Sequence, residues 1–292
     1  MNKSAIALSA IVLVAGGLSD ATAQEKKYNL TLAGASPGGF WALIHAATNK
    51  AFTASFPKSV ITYRTTGGGF ANITIVSGKK ATFGLAHDAE LKAAFDGTTP
   101  FRKPIRNLRA VAVVYNNVPI QVFVTKSFRE KHKLTTLGDL AKVKPAVRVA
   151  LNRRGNIVHH LGVKFLEVSG IKVADIEKWG GNVEYAGSRQ AFNLLKDRRV
   201  DMVIGGDGFA PGRRVMEVAT KLDIELLTPT DEVAQKVAKQ TGTTYSVMKA
   251  GTYPFQKQDI PVVDISAAIV VNEATDKQVT YDLAKALIEN IE

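Results

Sequence analysis

The 292-residue chain contains no cysteine. That absence excludes a disulfide framework, a thiolate metal site and a cysteine nucleophile. Phosphate-binding signatures are missing too. No G-x-x-x-x-G-K-[ST] loop occurs, and no G-x-G-x-x-G follows a strand-like run, so nucleotide binding has no support. Histidine is scarce, at five residues, and the last is His160. His159 and His160 are adjacent, so on a helix they point in different directions and do not share a metal as an i, i+4 pair could. Beyond the first residues, no run approaches the roughly 20 apolar residues that a membrane span requires.

Charge is unbalanced instead of scarce. Lysine and arginine total 38 against 26 aspartates and glutamates, a net charge of +12. The basic pairs Lys26-Lys27, Lys79-Lys80, Arg153-Arg154, Arg198-Arg199 and Arg213-Arg214 are scattered, with no dense tract. They read as a solvated basic surface, with no nucleic-acid partner expected. A hydrophobic share of 46% and a mean hydropathy of +0.01 describe a globular chain.

The N-terminus has the form of a secretory signal. Lys3 precedes an apolar core, Ala5 to Gly17, and Ala21-Thr22-Ala23 supplies an A-x-A cleavage site before Gln24. Residues 1–23 are therefore expected to be a signal peptide for export, cleaved before Gln24. Its removal takes away one lysine and one aspartate and leaves the charge at +12.

The stretch Tyr28 to Trp41 sets the pattern for the rest. Tyr28–Ala33 alternates apolar and polar residues as a β-strand does, and Gly34–Gly39 are small residues or proline. From Phe40 onward Trp41, Leu43, Ile44, Ala47 and Phe52 fall at helical spacing. A strand, a tight loop and a helix in that order leave free backbone N–H groups at the helix start, where an anion can bind.

The arrangement recurs. Strand-like runs at Ser59–Thr65, Thr82–Ala86, Val147–Leu151 and Val200–Ile204 end in Gly67–Asn72, His87-Asp88, Asn152–Asn156 and Gly205–Phe209, each before a helical segment. Leu108–Tyr115 and Ile120–Thr125 read as two strands separated near Pro119. Thr135/Thr136 with Asp139 resemble a capping box, and Ser188 reads as an N-cap. Ile260–Val271 is a long apolar strand, and 276–291 a closing helix. Alternating strands and helices predict an α/β architecture with largely parallel sheets. In such sheets ligands bind outside the carboxyl ends of the strands. Here five such ends supply loops for one cleft.

A different chemistry is spelled by Gly34-Ala35-Ser36-Pro37-Gly38, which matches the G-x-S-x-G nucleophile elbow of a secreted serine hydrolase. Three features oppose it. Pro37 has no N–H for an oxyanion hole. No histidine follows His160, and the elbow would lie on the first strand.

Taken in order, these blocks resemble the TAXI-type periplasmic solute receptors of TRAP (tripartite ATP-independent) transporters. Gly34–Trp41 is similar to the family's T-G-x-x-G-G-x-Y-Y, departing at Ala33 and at the two aromatics. Thr66–Asn72 is similar to T-G-G-S-x-x-N, His87-Asp88 to the S-D after a short strand, and Arg199–Pro211 to G-K-x-D-A-F-F-x-x-G-G-x-P. Where the family shows G-x-x-G-S-G-T, this chain has Leu151-Asn152-Arg153-Arg154-Gly155-Asn156, which places two cations at the second lobe's main loop.

The resemblance implies a two-lobed periplasmic-binding-protein-like fold of type II with the ligand cleft between the lobes. It implies a monomer with no catalysis, cofactor or metal, which binds a glutamate- or dicarboxylate-like solute and delivers it to TRAP membrane permease subunits. The expected division is lobe 1 over 24–118, lobe 2 over 119–222, and a return to lobe 1 over 223–292. Expected ligand contacts are Ala35, Ser36, Gly38, Gly39 and Trp41 in the first loop, then Gly68, Gly69 and Asn72, then His87 and Asp88. The second lobe adds Arg153, Arg154, Asn156, Asp207 and Phe209. Phe40 is expected to pack on the sheet while Trp41 faces the ligand, and one of the two arginines to hold a carboxylate.

Overall fold

The computed structural model describes residues 26–206 and 208–290. The expected signal peptide and Asp207 lie outside the described residues. The first part of the chain runs β1 (Asn29–Ala33), α1 (Phe40–Ser55), β2 (Val60–Arg64), α2 (Gly69–Ser77), β3 (Phe83–His87) and α3 (Asp88–Asp96), then the long β4 (Leu108–Thr125). Next come α4 (Lys126–Lys131), α5 (Asp139–Val143), β5 (Arg148–Leu151), α6 (Ile157–Val168), α7 (Val173–Lys178), β6 (Asn182–Tyr185), α8 (Ser188–Lys196) and β7 (Met202–Gly205). The chain finishes with α9 (Arg213–Ala219), β8 (Ile224–Leu226), α10 (Asp231–Thr241), β9 (Thr244–Met248), β10 (Ile260–Asn272) and α11 (Lys277–Asn290).

The strand order is β2-β1-β3-β10-β4-β7-β5-β6. Within each lobe the short strands are parallel: β2, β1 and β3 in the first, β7, β5 and β6 in the second. The two long strands between them run antiparallel to their neighbours. β10 is a near-continuous run of Ile, Val and Ala, and all but one of its residues are buried. It is flanked by β3, β4 and β9. Such a run has no polar face to show to water and suits only the middle of a sheet.

β4 corrects the sequence reading. Pro119, expected to separate two strands, lies inside one 18-residue strand. Proline lacks the N–H that a ladder uses, and Asn117 adopts a left-handed φ of 53° two residues earlier. The strand bends there and changes partners. Residues 108–120 pair with β10, whereas 121–125 pair with β7 and β8. β4 therefore belongs to both lobes.

Residues 228–259, left unassigned by the sequence patterns, hold α10 and β9. Thr230 caps α10 through its hydroxyl, Asp231 and Glu232 occupy the first turn, and Gly242 closes it in the left-handed conformation. α10 packs against α6, and β8 pairs with β4. The chain thus stays beside the second lobe past residue 222, where the return to the first lobe was expected.

The capping box also differs in detail. α5 begins at Asp139 itself. Its carboxylate accepts the N–H groups of Thr135 at 3.0 Å and Thr136 at 2.8 Å. The Lys142 hydrogen bond, then that of Thr136, holds this carboxyl down to about 2. A folded-state value below the unfolded one stabilises the fold above the ordinary aspartate range, and the gain is lost as pH falls through the lowered value. Asp139→Asn should therefore flatten the loss of stability between about pH 4 and 2. Denaturation midpoints taken stepwise over that range check it, and parallel curves for the two proteins would contradict it.

Candidate functional site: a cavity between the lobes

The carboxyl ends of the short strands face one space between the lobes. The first lobe lines it with Ala35, Ser36, Gly39, Phe40, Trp41 and His87, and the crossing strands add Tyr115, Val118, Ile120 and Ile265. From the second lobe come Asn152, Asn156, Val158, Ser188, Gly206 and Gly208. The space measures about 560 Å³ with its open mouth included.

A hydrogen-bond chain fixes the first-lobe wall. The Trp41 indole Nε1 donates to the Tyr115 hydroxyl at 2.7 Å, and that hydroxyl meets His87 Nε2 at 2.9 Å. His87 Nδ1 in turn meets Glu90 Oε2 at 2.8 Å, and the same oxygen accepts the His87 backbone N–H at 2.9 Å. An indole only donates and a carboxylate only accepts, so in the neutral imidazole Nδ1 carries the proton toward Glu90 and Nε2 accepts from Tyr115. Burial, opposed by the Trp41 bond and reinforced by Glu90 and Asp88, pushes the Tyr115 phenol far above its ordinary value and keeps it a donor. The His87 ring stacks on Trp41 with centroids 4.8 Å apart. The polar atoms of this wall are spent on one another, and it offers the cavity its rings.

The opposite wall is polar. α6 and α8 begin there, marked by Asn156 and Ser188, and α1 begins at Gly39 on the first-lobe side. Unpaired N–H groups and the positive ends of helix dipoles favour an anion there. Asn156 caps α6, its Oδ1 accepting the Val158 N–H at 2.8 Å. Ser188 is not the cap of α8 that its position suggested. Gly187 holds that place, and Ser188 is the first helical residue. Its hydroxyl accepts from Asn152 Nδ2 at 3.3 Å.

Contacts across the mouth hold the lobes together. Arg214 of α9 donates to the Gly38 carbonyl at 2.7 Å. Gly38 has φ +69°, and a side chain there would begin 3.1 Å from Arg189 Nε. Gly68, at φ +121°, leaves room for Asn156, whose Nδ2 would lie 2.9 Å from any added Cβ. Phe209 meets Phe40 edge-on at 5.8 Å and Tyr115 at 6.2 Å.

Of the expected ligand contacts, Ala35, Ser36, Gly39, Trp41, His87 and Asn156 line the cavity. Two of their backbone donors are already used: the Ala35 N–H donates to the Tyr63 hydroxyl at 2.7 Å, and that of Gly39 to the Ser36 carbonyl at 3.2 Å. Gly38, Gly68 and Phe209 sit at the lobe contacts around it. The expected split between the two aromatics fails, since Phe40 reaches Tyr115 and Phe209 and lines the cavity beside Trp41.

Other expected contacts point elsewhere. Gly69 packs against the Glu90 carboxylate. The Asp88 carboxylate accepts the Ala89 N–H at 2.8 Å, and burial raises its pKa against that bond. Asn72 is fully buried and joins strand ends: its Nδ2 donates to the carbonyls of Gly34 at 2.8 Å and Leu85 at 2.7 Å, and its Oδ1 accepts from Thr66 at 2.6 Å. The Arg154 guanidinium lies 4.1 Å over the Tyr185 ring, away from the cavity. Arg153 lines a neighbouring pocket with Ser36, Gly39 and Arg189. The hydrolase reading finds no partner for its nucleophile. Among the described residues no histidine bonds Ser36, and His87 is engaged by Glu90 and Tyr115.

Sequence reasoning passed over Tyr115, Asn152 and Arg189 and misread Phe40 and Ser188. Tyr115 had a usable signal, a single phenol in the apolar run Leu108–Tyr115, since a buried tyrosine hydroxyl needs a partner.

Two parallel α/β lobes, joined by long antiparallel strands around this cavity, define the periplasmic-binding-protein fold of type II. The same fold is found in MatC from Rhodopseudomonas palustris, solved with bound malate (TM-score 0.61, 13% identity, 91% of this chain and 85% of that one). It is also found in the periplasmic binding protein BugD (TM-score 0.57, 16% identity, 89% and 81%). A third example is Rpa4515 of R. palustris, solved with adipate (TM-score 0.54, 17% identity, 89% and 82%). By sequence the chain belongs to the NMT1-like family, which it matches over residues 32–292. No curated protein matches it in sequence.

Asn72 provides a test of how the loops are held. Asn72→Ala leaves the buried Gly34 and Leu85 carbonyls without this donor and should destabilise the protein by about 3 kcal/mol. Urea denaturation measures it, and a loss under about 0.5 kcal/mol would show that the strand ends are held by other means.

Proposed function

We propose that this protein is an extracytoplasmic solute receptor of a TAXI-type TRAP transporter. It closes its lobes on a small organic anion and delivers that anion to membrane permease subunits, as a monomer without a cofactor. The observation that carries this reading is the interlobe cavity, at which three helices begin and which no described Asp or Glu lines. Two fold relatives were solved with organic acids, malate and adipate. The TAXI assignment rests on the glycine-loop blocks at Gly34–Trp41, Thr66–Asn72 and Arg199–Pro211, and export on the leader read in residues 1–23.

Binding involves no bond making. The helix starts and the Ser188 hydroxyl supply donors for a carboxylate, and Arg153 at the cavity's edge supplies fixed charge. Arginine's planar fork matches carboxylate oxygens. Closure then brings Arg214 to the Gly38 carbonyl and Phe209 to Phe40.

Native mass spectrometry of freshly purified protein should reveal an acid of low mass, since a closed cleft retains its solute. A neutral or cationic solute, or covalent labelling of Ser36 by a fluorophosphonate, would overturn the reading. With the solute identified, Arg153→Ala should weaken binding about 10- to 150-fold by calorimetry. Arg154→Ala should leave the affinity unchanged, because that guanidinium is stacked on Tyr185.

A further inference from the structure

Among the described residues the cavity has one charged pole. On its Ser36–Gly39 side it adjoins a pocket that shares those two residues and is lined by Arg153 and Arg189. Among the described residues neither guanidinium pairs with a carboxylate. Both stand at the rim, where a charge on the solute keeps partial contact with water. The start of α8 faces the same place, since Gly187 and Gln190 line that pocket as well.

The far side differs in kind. Val118 and Ile120 of β4, Ile265 of β10 and Val158 of α6 present aliphatic side chains. The rings of Phe40, Trp41 and Tyr115 line the cavity with them. The polar side-chain atoms of Trp41, Tyr115 and His87 have no proton left for a solute anion. The Trp41 N–H is given to Tyr115, the Tyr115 proton to His87, and the His87 Nδ1 proton to Glu90. Behind this wall stands the Glu90 carboxylate, fully buried, with its Oε1 unbonded among the described residues. Against this wall a second carboxylate on the solute would be stripped of water beside aliphatic groups and rings whose protons are already given to one another. A flat apolar body would instead cover three aromatic faces and gain from their burial.

From this asymmetry we propose that the solute is a monoanion with an apolar, planar body. Its acid group lies at the rim between Arg153 and Arg189, its ring lies against Phe40, Trp41 and Tyr115, and dicarboxylates are rejected. The inference rests on the reading of the cavity as the solute site, and it revises the glutamate- or dicarboxylate-like solute that the family resemblance implies.

The test uses the full mature chain, unfolded and refolded to strip any retained solute, and titrated by calorimetry. The probes are phenylacetate, benzoate, phenylacetamide, malate and adipate. Phenylacetate or benzoate should bind about 100-fold more tightly than malate and adipate, and phenylacetamide should fall about 10- to 150-fold below phenylacetate. Arg189→Ala should weaken phenylacetate about 10-fold and leave phenylacetamide unchanged. Malate or adipate binding as tightly as the monoacids would overturn this inference while leaving the receptor reading intact. Equal losses of acid and amide in Arg189→Ala would overturn the placement of the acid group. If no acid binds and none appears in the native mass spectrum, the receptor reading falls as well.

Discussion

The pairing of β4 with β10 is the constraint on which the rest of the molecule depends. These strands run antiparallel through the middle of the sheet and are the two that serve both lobes. Each lobe attaches its parallel strands to one flank: β3 pairs with β10, and β7 with β4. The glycine loops after β1, β5 and β7 therefore converge on the seam between them. Three residues of the seam, Val118, Ile120 and Ile265, form part of the cavity wall. The scaffold and the site share the same strands at that point.

That sharing accounts for the character of the first-lobe wall. Tyr115 leaves β4 at the seam and collects Trp41 from α1 and His87 from β3, with Glu90 of α3 behind them. Four elements are pinned by one directional chain of hydrogen bonds in a buried setting, where each bond gains strength and each unpaired group would be costly. The indole and the imidazole stack, which locks both ring planes. Such a wall is fixed by its own bonds, whereas in the second lobe Ser188 and Asn152 share one long hydrogen bond.

Much of this was legible in the sequence, for identifiable reasons. Alternation in Asn29–Ala33, the apolar run Ile260–Asn272 and the glycine loops each follow from backbone sterics and burial, which act locally. Family resemblance supplied the lobed architecture. Features that depend on distant partners were not legible. Pro119 reads as a strand breaker because its tolerance depends on which neighbour β4 faces at that residue. Asn72 looks like a ligand contact until the carbonyls of Gly34 and Leu85 are seen to claim it. Arg154 and Arg153 are indistinguishable as letters, yet the Tyr185 ring, 31 residues away in the chain, takes one of them. The residues 228–259 carried good capping signals at Thr230 and Gly242, which a search for glycine loops overlooks.

The Arg214 clasp has a consequence for how such a protein can change over evolutionary time. Its acceptor is the main-chain oxygen of residue 38, and a carbonyl is present whatever side chain the gene encodes. Drift in the first loop therefore cannot delete the acceptor, while the left-handed φ of Gly38 limits what could replace that residue. The contact across the mouth is thus independent of the side chains that line the cavity. Phe40, Asn152 or Ser188 can be exchanged, and the cavity reshaped, without touching the bond that joins the two lobes at its mouth.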